Sequence, residues 1–181
     1  MAKFLVIAEK PSVAQSLAKN LSAYQRKDGY LEGNSCIVSW CLGHLAEYVP
    51  PEIYDEKYAK WQFEDLPIIP EVWKVQVSED KKKQFDVICS LMNRADVAYL
   101  VNGCDAGREG ELIFKRVYDL AGCQKPVKRL WISSMEDEAI QKGFQSLNDG
   151  RDYAGLCNAA VCRAQACLLY TSPSPRDRTR S

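Results

Sequence analysis

Two polar turns carry the acidic side chains whose spacing is most suited to chemistry. Glu9 follows one apolar run, and Asp105, Glu109 and Glu111 follow another. Hard divalent cations such as Mg²⁺ bind a few carboxylates together with water and substrate phosphate. If the two runs form neighbouring strands, Glu9, Asp105 and Glu109 can converge on such an ion. The alternative is that these acids complement the positive end of the following helix, which stabilises by about 0.3–1 kcal/mol each.

The second turn also contains three glycines, Gly103, Gly107 and Gly110. So many glycines weaken a helix start unless the backbone must turn sharply or approach another group closely, so they favour the metal site. The turn lacks the G-x-x-x-x-G-K-[ST] pattern, so a P-loop for nucleotides is not supported.

Strand and helix patterns alternate along the chain, and each of the two polar turns lies between a predicted strand and the helix that follows it. The alternation predicts an α/β fold with a mostly parallel sheet flanked by helices. In such sheets ligands bind beyond the carboxyl ends of the strands, where both turns fall. Ser134 and Asp137 approximate a capping box before the last predicted helix. Strands are predicted at 4–8, 36–40, 73–77, 97–101 and 127–132, and helices at 13–21, 81–93, 112–120 and 139–147.

Composition narrows the class of protein. Lys and Arg total 24, as do Asp and Glu, so contact with a polyanion needs a local patch. The apolar run Phe4–Ala8 is far shorter than the roughly 20 residues of a membrane span, and no signal-peptide cleavage site follows it. We therefore expect a cytoplasmic protein without a membrane partner. The eight cysteines contain no C-x-x-C pair, which favours reduced, mostly buried thiols over a zinc site.

Four motifs, in this order, resemble the Toprim domain of type IA DNA topoisomerases, with bacterial topoisomerase III the most similar branch. The resemblance covers residues 1 to about 166. It implies a Rossmann-like Toprim fold over 1–150 and the start of the next topoisomerase domain over 151–166. The motifs are Ile7–Ser12 (IAEKPS), Leu42–Leu45 (LGHL), Asp105–Ile113 (DAGREGELI) and Leu130–Ser134 (LWISS).

The resemblance also assigns acidic site residues. Glu9 would be the general acid or base near the scissile phosphate and a metal ligand. Asp105 and Glu109 match the outer members of the family's D-x-D-x-E set and would hold Mg²⁺. Gly107 stands where the middle Asp is expected, which removes one anionic ligand.

Basic and polar side chains would contact the DNA phosphates. The resemblance assigns Lys10 and Arg108 to catalysis and to phosphate binding, where Lys is a compact charge and Arg a planar fork. Ser12 would join them in binding phosphate. His44, the chain's single histidine, would line the same cleft, or alternatively cap a loop by hydrogen bonds.

In the type IA reaction a tyrosine attacks a DNA backbone phosphate and forms a covalent 5′-phosphotyrosine. None of the nine tyrosines here lies in a matching motif. The resemblance thus implies the Mg²⁺-binding part of an enzyme that cleaves, passes and reseals single-stranded segments of DNA. We expect this chain alone to be inactive and the full-length enzyme to be monomeric.

Residues 167–181 depart from the resemblance. Cys162–Ala166 matches the family's C-R-A-Q-A, but Cys167 stands where Asp is expected. Back-translated, Cys167–Asp177 reads like a transposase-type sequencing adapter. We therefore expect 167–181 to be an artefactual, disordered tail, the alternative being a genuine flexible terminus.

Two other functions remain as alternatives. One is a different Toprim enzyme, such as a primase or a small nuclease, although the LGHL and WISS motifs favour the topoisomerase branch. The other is a stand-alone module that binds metal or phosphate. That module would need Arg176–Ser181 to be a real basic tail.

Overall fold

The computed structural model of the chain describes residues 2–60, 62–65 and 67–170. Short 3-10 turns connect several of the helices and strands, and the longest irregular stretch lies between β5 and β6. In chain order the elements are β1 (Lys3–Ala8), α1 (Pro11–Asn20), β2 (Gln25–Lys27), β3 (Tyr30–Glu32), β4 (Cys36–Trp40), β5 (Ala46–Tyr48), β6 (Val75–Val77), α2 (Lys82–Met92), β7 (Val97–Gly103), α3 (Arg108–Leu120), β8 (Val127–Arg129), α4 (Asp137–Gln145), β9 (Asn148–Asp149) and α5 (Ala154–Tyr170).

The main sheet has seven strands in the order β2-β3-β4-β1-β7-β8-β9. Its four central strands, β4, β1, β7 and β8, are parallel, and antiparallel strands complete both edges. A separate antiparallel pair is formed by β5 and β6. The predicted α/β fold with a mostly parallel sheet is therefore confirmed.

Side chains of the central strand β1 alternate between two hydrophobic layers. Leu5 and Ile7 are buried in the layer that contains residues of α2 and α3. Val6 and Ala8 are buried in the opposite layer, with residues of α1 and α4. Because successive strand residues point to opposite faces, this continuous apolar run serves both faces of the sheet.

Three of the four central strands, β4, β1 and β7, end level with one another. Ala8, the last residue of β1, pairs with Trp40 at the end of β4 and with Gly103 at the end of β7. The segments that follow these strands therefore leave the sheet at the same edge, which is where ligands bind in parallel α/β sheets.

The second polar turn is shorter than its sequence indicates, because α3 already begins at Arg108. The amide of Glu111 donates to the carbonyl of Gly107 at 3.2 Å, which closes the first helical turn. Glu109 and Glu111 thus lie in that turn, where negative charge suits the helix dipole. The predicted strand 127–132 is also shorter and ends at Arg129.

The capping box predicted at Ser134 and Asp137 is wrong. Helix α4 begins at Asp137, so its N-cap is Glu136, and no side chain caps it. The Ser134 hydroxyl accepts a hydrogen bond from the Glu136 amide at 3.2 Å, which forms a turn ahead of the helix.

The last helix, α5, extends to the end of the described residues. Helix α5 includes the backbone of 167–170, whereas 171–181 lie outside the described residues, so the predicted artefactual tail stays a prediction.

The seven cysteines from Cys36 to Cys162 are free thiols, and five of them are buried. Among the described helices, none has the length and apolar character needed to cross a bilayer.

Candidate functional site

Hydrogen bonds from the segment that follows β4 fix the backbone around Glu9. The amide of Cys41 donates to the carbonyl of Ala8 at 2.7 Å, and the amide of Gly43 donates to the carbonyl of Glu9 at 3.2 Å. Gly43 has a φ of +68°, in the left-handed region that glycine adopts without strain. The LGHL segment therefore turns around Glu9 and delivers His44 to the same edge of the sheet.

The β7 side brings Asp105 to Glu9. The Glu9 carboxylate accepts a hydrogen bond from the Asp105 amide at 3.4 Å. Glu9 is half-buried and Asp105 is exposed, so both reach solvent at the sheet edge. The two turns therefore meet at one edge of the sheet, whereas the role of Glu9, Asp105 and Glu109 as metal ligands stays a prediction.

A buried arginine holds the Asp105 turn in place. Arg129, at the end of β8, has a side chain that is only 1% exposed. Its guanidinium donates to the carbonyls of Asn102, Cys104 and Leu130 at 2.6–3.0 Å and to the carbonyl of Asp105 at 2.7 Å. Because three of these carbonyls, those of Asn102, Cys104 and Asp105, belong to the end of β7 and the start of the turn, Arg129 determines the path of the backbone at Asp105.

Glu111 neutralises that buried cation. Its carboxylate accepts hydrogen bonds from Arg129 Nε at 2.6 Å and from the side-chain amide of Asn102 at 3.2 Å. The Asn102 side-chain oxygen in turn accepts from the amide of Cys104 at 3.1 Å. A buried charge is tolerated when it is paired and hydrogen-bonded, and both partners here meet that condition.

The thiol beneath the site stays protonated. Cys104 is buried and donates to the carbonyl of Ile7 at 3.7 Å. Its hydrogen bond with the Cys41 thiol, together with burial, raises the pKa of Cys104 well above its usual range. Since the thiolate is the nucleophilic form, Cys104 packs beneath the site rather than reacting there.

Glu109 lies in a second cluster, formed with His44 and Arg163. Arg163 of α5 donates to Glu109 Oε1 at 2.9 Å, and His44 Nε2 is 3.5 Å from Glu109 Oε2. His44 Nδ1 is buried without a hydrogen-bond partner among the described residues. These residues line a cavity of about 280 Å³ together with Arg116.

A larger cavity of about 650 Å³ lies on the α1 side of Asp105. Its polar lining includes Lys10, Ser12, Ser16, Ser133 and Ser134. Lys10 precedes the first turn of α1, where free backbone amides and the helix dipole favour an anion. Hydroxyls, an ammonium group and a helix start together suit a phosphate.

The predicted cations at this edge are available to a ligand. Lys10 and Arg108 are both exposed, and neither forms an ion pair with another described residue. Arg108 is the first residue of α3 and directly follows the Gly107 turn. The structure thus places Lys10 and Ser12 in the larger cavity and Arg108 at the start of the neighbouring helix.

The acidic residues fit a magnesium ion with few protein ligands. Within the described residues, no group of three His, Cys, Asp or Glu side chains lies close enough to hold a metal. The Glu9 carboxylate adjoins the backbone amide of Asp105, whereas the Glu109 carboxylate is bound by Arg163 and does not converge with the other two predicted ligands. Mg²⁺ commonly uses one or two carboxylates and completes its shell with water and substrate phosphate, and this donor set suits that mode.

Gly110 lies close to the backbone of Asp105, and this close approach allows α3 to start directly after the turn. A Cβ at Gly110 would lie 2.1 Å from the carbonyl oxygen of Asp105, and this oxygen belongs to the backbone and cannot swing away. We expect Gly110→Ala to lower the free energy of unfolding by about 2–3 kcal/mol through this overpacking. Urea unfolding followed by circular dichroism measures the change.

Gly107 provides the matched control in the same turn. A Cβ at Gly107 would meet no atom within 4 Å, and its φ of 171° is extended backbone that alanine also adopts. Gly107→Ala should therefore leave stability unchanged within about 0.5 kcal/mol or raise it slightly. Equal destabilisation by the two substitutions would contradict the close-approach explanation.

Sequence reasoning missed three residues that shape the site. Arg129 lies inside the predicted strand 127–132 directly after Lys128, and two adjacent cations in that pattern do not indicate which one is buried. Arg163 belongs to the matched C-R-A-Q-A motif, but no local pattern indicated a contact with Glu109. No sequence signal indicated that Asn102 joins Glu111 to the turn.

The chain is similar to known proteins in sequence and in fold. The Toprim domain family matches residues 4–135. The DNA topoisomerase 3 proteins of Bacillus subtilis strain 168 and Bacillus thuringiensis strain Al Hakam are each 48% identical to the chain over 166 residues. The match covers 92% of this chain but 23% of each relative, at the amino-terminal quarter.

A solved structure shares the fold at low sequence identity. It is that of full-length topoisomerase I from Thermotoga maritima in a monoclinic crystal form, with a TM-score of 0.61 and 16% identity. The likeness covers 91% of this chain and 24% of that one, and it bears on the fold alone. From the family match over most of its length, the chain belongs to the Toprim domain family.

Proposed function

We propose that this chain is the Toprim part of a type IA DNA topoisomerase of the topoisomerase III kind. The observation that carries the proposal is the junction of Glu9 with the Asp105 turn, beside a cavity whose lining suits phosphate. The similarity to the DNA topoisomerase 3 relatives supports DNA as the substrate, and we propose that a single-stranded segment of it is cleaved. In this proposal the complete enzyme is a cytoplasmic monomer.

The proposed cleavage step breaks one DNA backbone bond and forms another. A tyrosine hydroxyl, supplied from outside residues 1–166, loses its proton to water as its oxygen bonds to the phosphorus, and the bond from the phosphorus to the 3′ oxygen breaks. Glu9 in its acid form gives the departing oxygen its proton and takes the proton back during religation. Lys10 and Arg108 hold the phosphate, and their charges offset the negative charge that develops on its oxygens.

Mg²⁺ would be held by Glu9 and Asp105. A bound Mg²⁺ neutralises phosphate charge and orients the DNA backbone. Gly107, in place of the family's middle Asp, leaves one carboxylate fewer, so we expect weak binding in the absence of DNA. Glu109 can contribute only when it is released from Arg163.

The purified chain should not relax supercoiled plasmid in the presence of Mg²⁺, because none of its tyrosines lies in a matching motif. Agarose gel electrophoresis of plasmid topoisomers measures this, with Bacillus subtilis DNA topoisomerase 3 run in parallel as the comparison. Relaxation by the chain alone would contradict the proposal that the nucleophile lies elsewhere. Nicking without relaxation would instead favour the alternative of a stand-alone Toprim nuclease.

Sequencing the source DNA through the Ala166 codon and several hundred bases beyond tests the proposed context. We expect codons for Asp-Trp after Ala166 and an open frame that reaches a downstream tyrosine motif. A genomic Cys167–Ser181 followed by a stop codon would contradict this. It would instead favour the alternative of a stand-alone module that binds metal or phosphate.

A further inference from the structure

A third cavity, of about 850 Å³, lies between α3, the strands β8 and β9, and the start of α5. Among the described residues, none that lines it also lines either of the two cavities at the site. Its volume falls in the range of small-molecule sites, which is about 300–1,000 Å³. The proposed cleavage chemistry makes no use of this space.

The walls of the cavity are largely aromatic and apolar. The Phe114 and Tyr118 rings of α3 stack with their centres 6.0 Å apart and their planes 22° apart. The Tyr118 hydroxyl donates to the carbonyl of Lys125 at 3.0 Å, which fixes that ring. Val127 of β8 and the buried Cys157 of α5 complete these walls. A flat apolar body suits them, and walls that are already ordered lose little entropy when a ligand binds.

One end of the cavity is formed by the buried ion pair of Glu111 and Arg129. The Arg129 guanidinium also donates to the carbonyl of Asp105 at 2.7 Å. Asp105 itself lines the 650 Å³ cavity at the sheet edge. Arg129 therefore stands between the two cavities, and a ligand in the third one would lie outside the proposed phosphate site.

The lining carries an excess of positive charge. Five of its side chains are basic and two are acidic: Lys115, Lys125, Lys128, Arg129 and Arg151 against Glu111 and Asp149. Lys128 lies over the Tyr99 ring, and the Lys125 ammonium donates to the carbonyl of Arg94. Neither lysine forms an ion pair with another described residue. Lys125 therefore brings an uncompensated charge to the cavity, which favours an anionic ligand.

We propose that this cavity is a second ligand site of the domain and that it takes a small aromatic anion. The aromatic body lies against the Phe114 and Tyr118 rings, and the anionic group pairs with the Lys125 ammonium. Sites of this kind combine apolar walls with a few polar groups that orient the ligand. This site is separate from the proposed DNA chemistry, so either one can fail without the other.

Fluorescence titration of the full chain with anilinonaphthalene sulfonate tests the site. We expect one dye to bind per chain. The uncharged analogue N-phenylnaphthylamine has the same rings without the sulfonate, and it should bind about tenfold more weakly for want of the charged contact. Lys125→Met should weaken binding of the sulfonate and leave binding of the analogue unchanged.

Blocking the cavity from α5 provides the matched pair of variants. Ala154 is exposed and lines the cavity, whereas Ala159 is exposed on the same helix and does not line it. Ala154→Trp should weaken dye binding at least about tenfold, because the indole occupies the space of the ligand. Ala159→Trp should bind as the wild type does. If Ala154→Trp fails to fold by circular dichroism, Asn158→Trp blocks the cavity from the next helical turn.

Three results would each overturn the second site. One is an absence of dye binding by the wild type, and another is unchanged binding by a folded blocking variant. The third is equal affinity for the sulfonate and its uncharged analogue. Displacement of the dye by excess inorganic phosphate would also contradict it, since it would place the dye in the phosphate-suited cavity. Loss of sulfonate binding on blocking, with Ala159→Trp unaffected, supports the proposal.

Discussion

Replacing Glu111 by glutamine should lower the free energy of unfolding by about 3–5 kcal/mol, because it leaves Arg129 buried without its counter-charge. Arg129 is 1% exposed, so water cannot replace the lost carboxylate. The amide of glutamine can still accept a hydrogen bond, which isolates the effect of the missing charge. The same substitution should loosen the Asp105 turn, whose carbonyls Arg129 holds.

Urea unfolding of the wild type and of Glu111→Gln measures this effect. Asp119→Asn is the matched control, since Asp119 pairs with Lys115 on the exposed side of the same helix. An exposed pair at this spacing contributes about 0.3–0.5 kcal/mol, so the control should change stability little. A loss below about 1 kcal/mol for Glu111→Gln would show that Arg129 does not depend on this carboxylate.

The part of the site that sequence reasoning predicted follows from local rules. The apolar run Phe4–Ala8 indicates a strand buried on both faces, and such strands carry ligands beyond their carboxyl ends. Two polar turns after two such runs were therefore expected to meet, and Glu9 meets the Asp105 turn. The sequence predicts that the helix after the glycine-rich turn starts at residue 112, whereas α3 starts at Arg108. The difference arises because Gly110 belongs to the helix and not to the turn.

The remainder depends on contacts between distant residues. The contact of Arg163 with Glu109 joins positions 54 residues apart, and neither has a local pattern that selects the other. Arg129 follows Lys128 in the short strand β8, and its role becomes visible only when four carbonyls converge on it. The short antiparallel strands β2, β3 and β9 are likewise set by their neighbours in the sheet, because two or three residues carry little periodicity.

Glu9→Gln should abolish most DNA relaxation in an enzyme that carries this domain. Removing a positioned acid or base typically lowers a rate by about 100- to 10,000-fold. Glu9 is the acidic side chain that both adjoins the Asp105 turn and belongs to the first matched motif. Glutamine keeps its size and a hydrogen-bond acceptor, so the loss would report the acid function and the metal ligand rather than packing.

The most direct measurement places residues 1–166 into Bacillus subtilis DNA topoisomerase 3 in exchange for its matching segment, and follows relaxation of supercoiled plasmid with Mg²⁺. The account predicts that this chimera relaxes plasmid and that its Glu9→Gln variant is at least about 100-fold slower. A Glu138→Gln chimera, altered at an exposed acid of α4, should keep the full rate. An inactive chimera, or a Glu9→Gln chimera as fast as its parent, would contradict the assignment of this sheet edge as the metal and phosphate half of a topoisomerase active site.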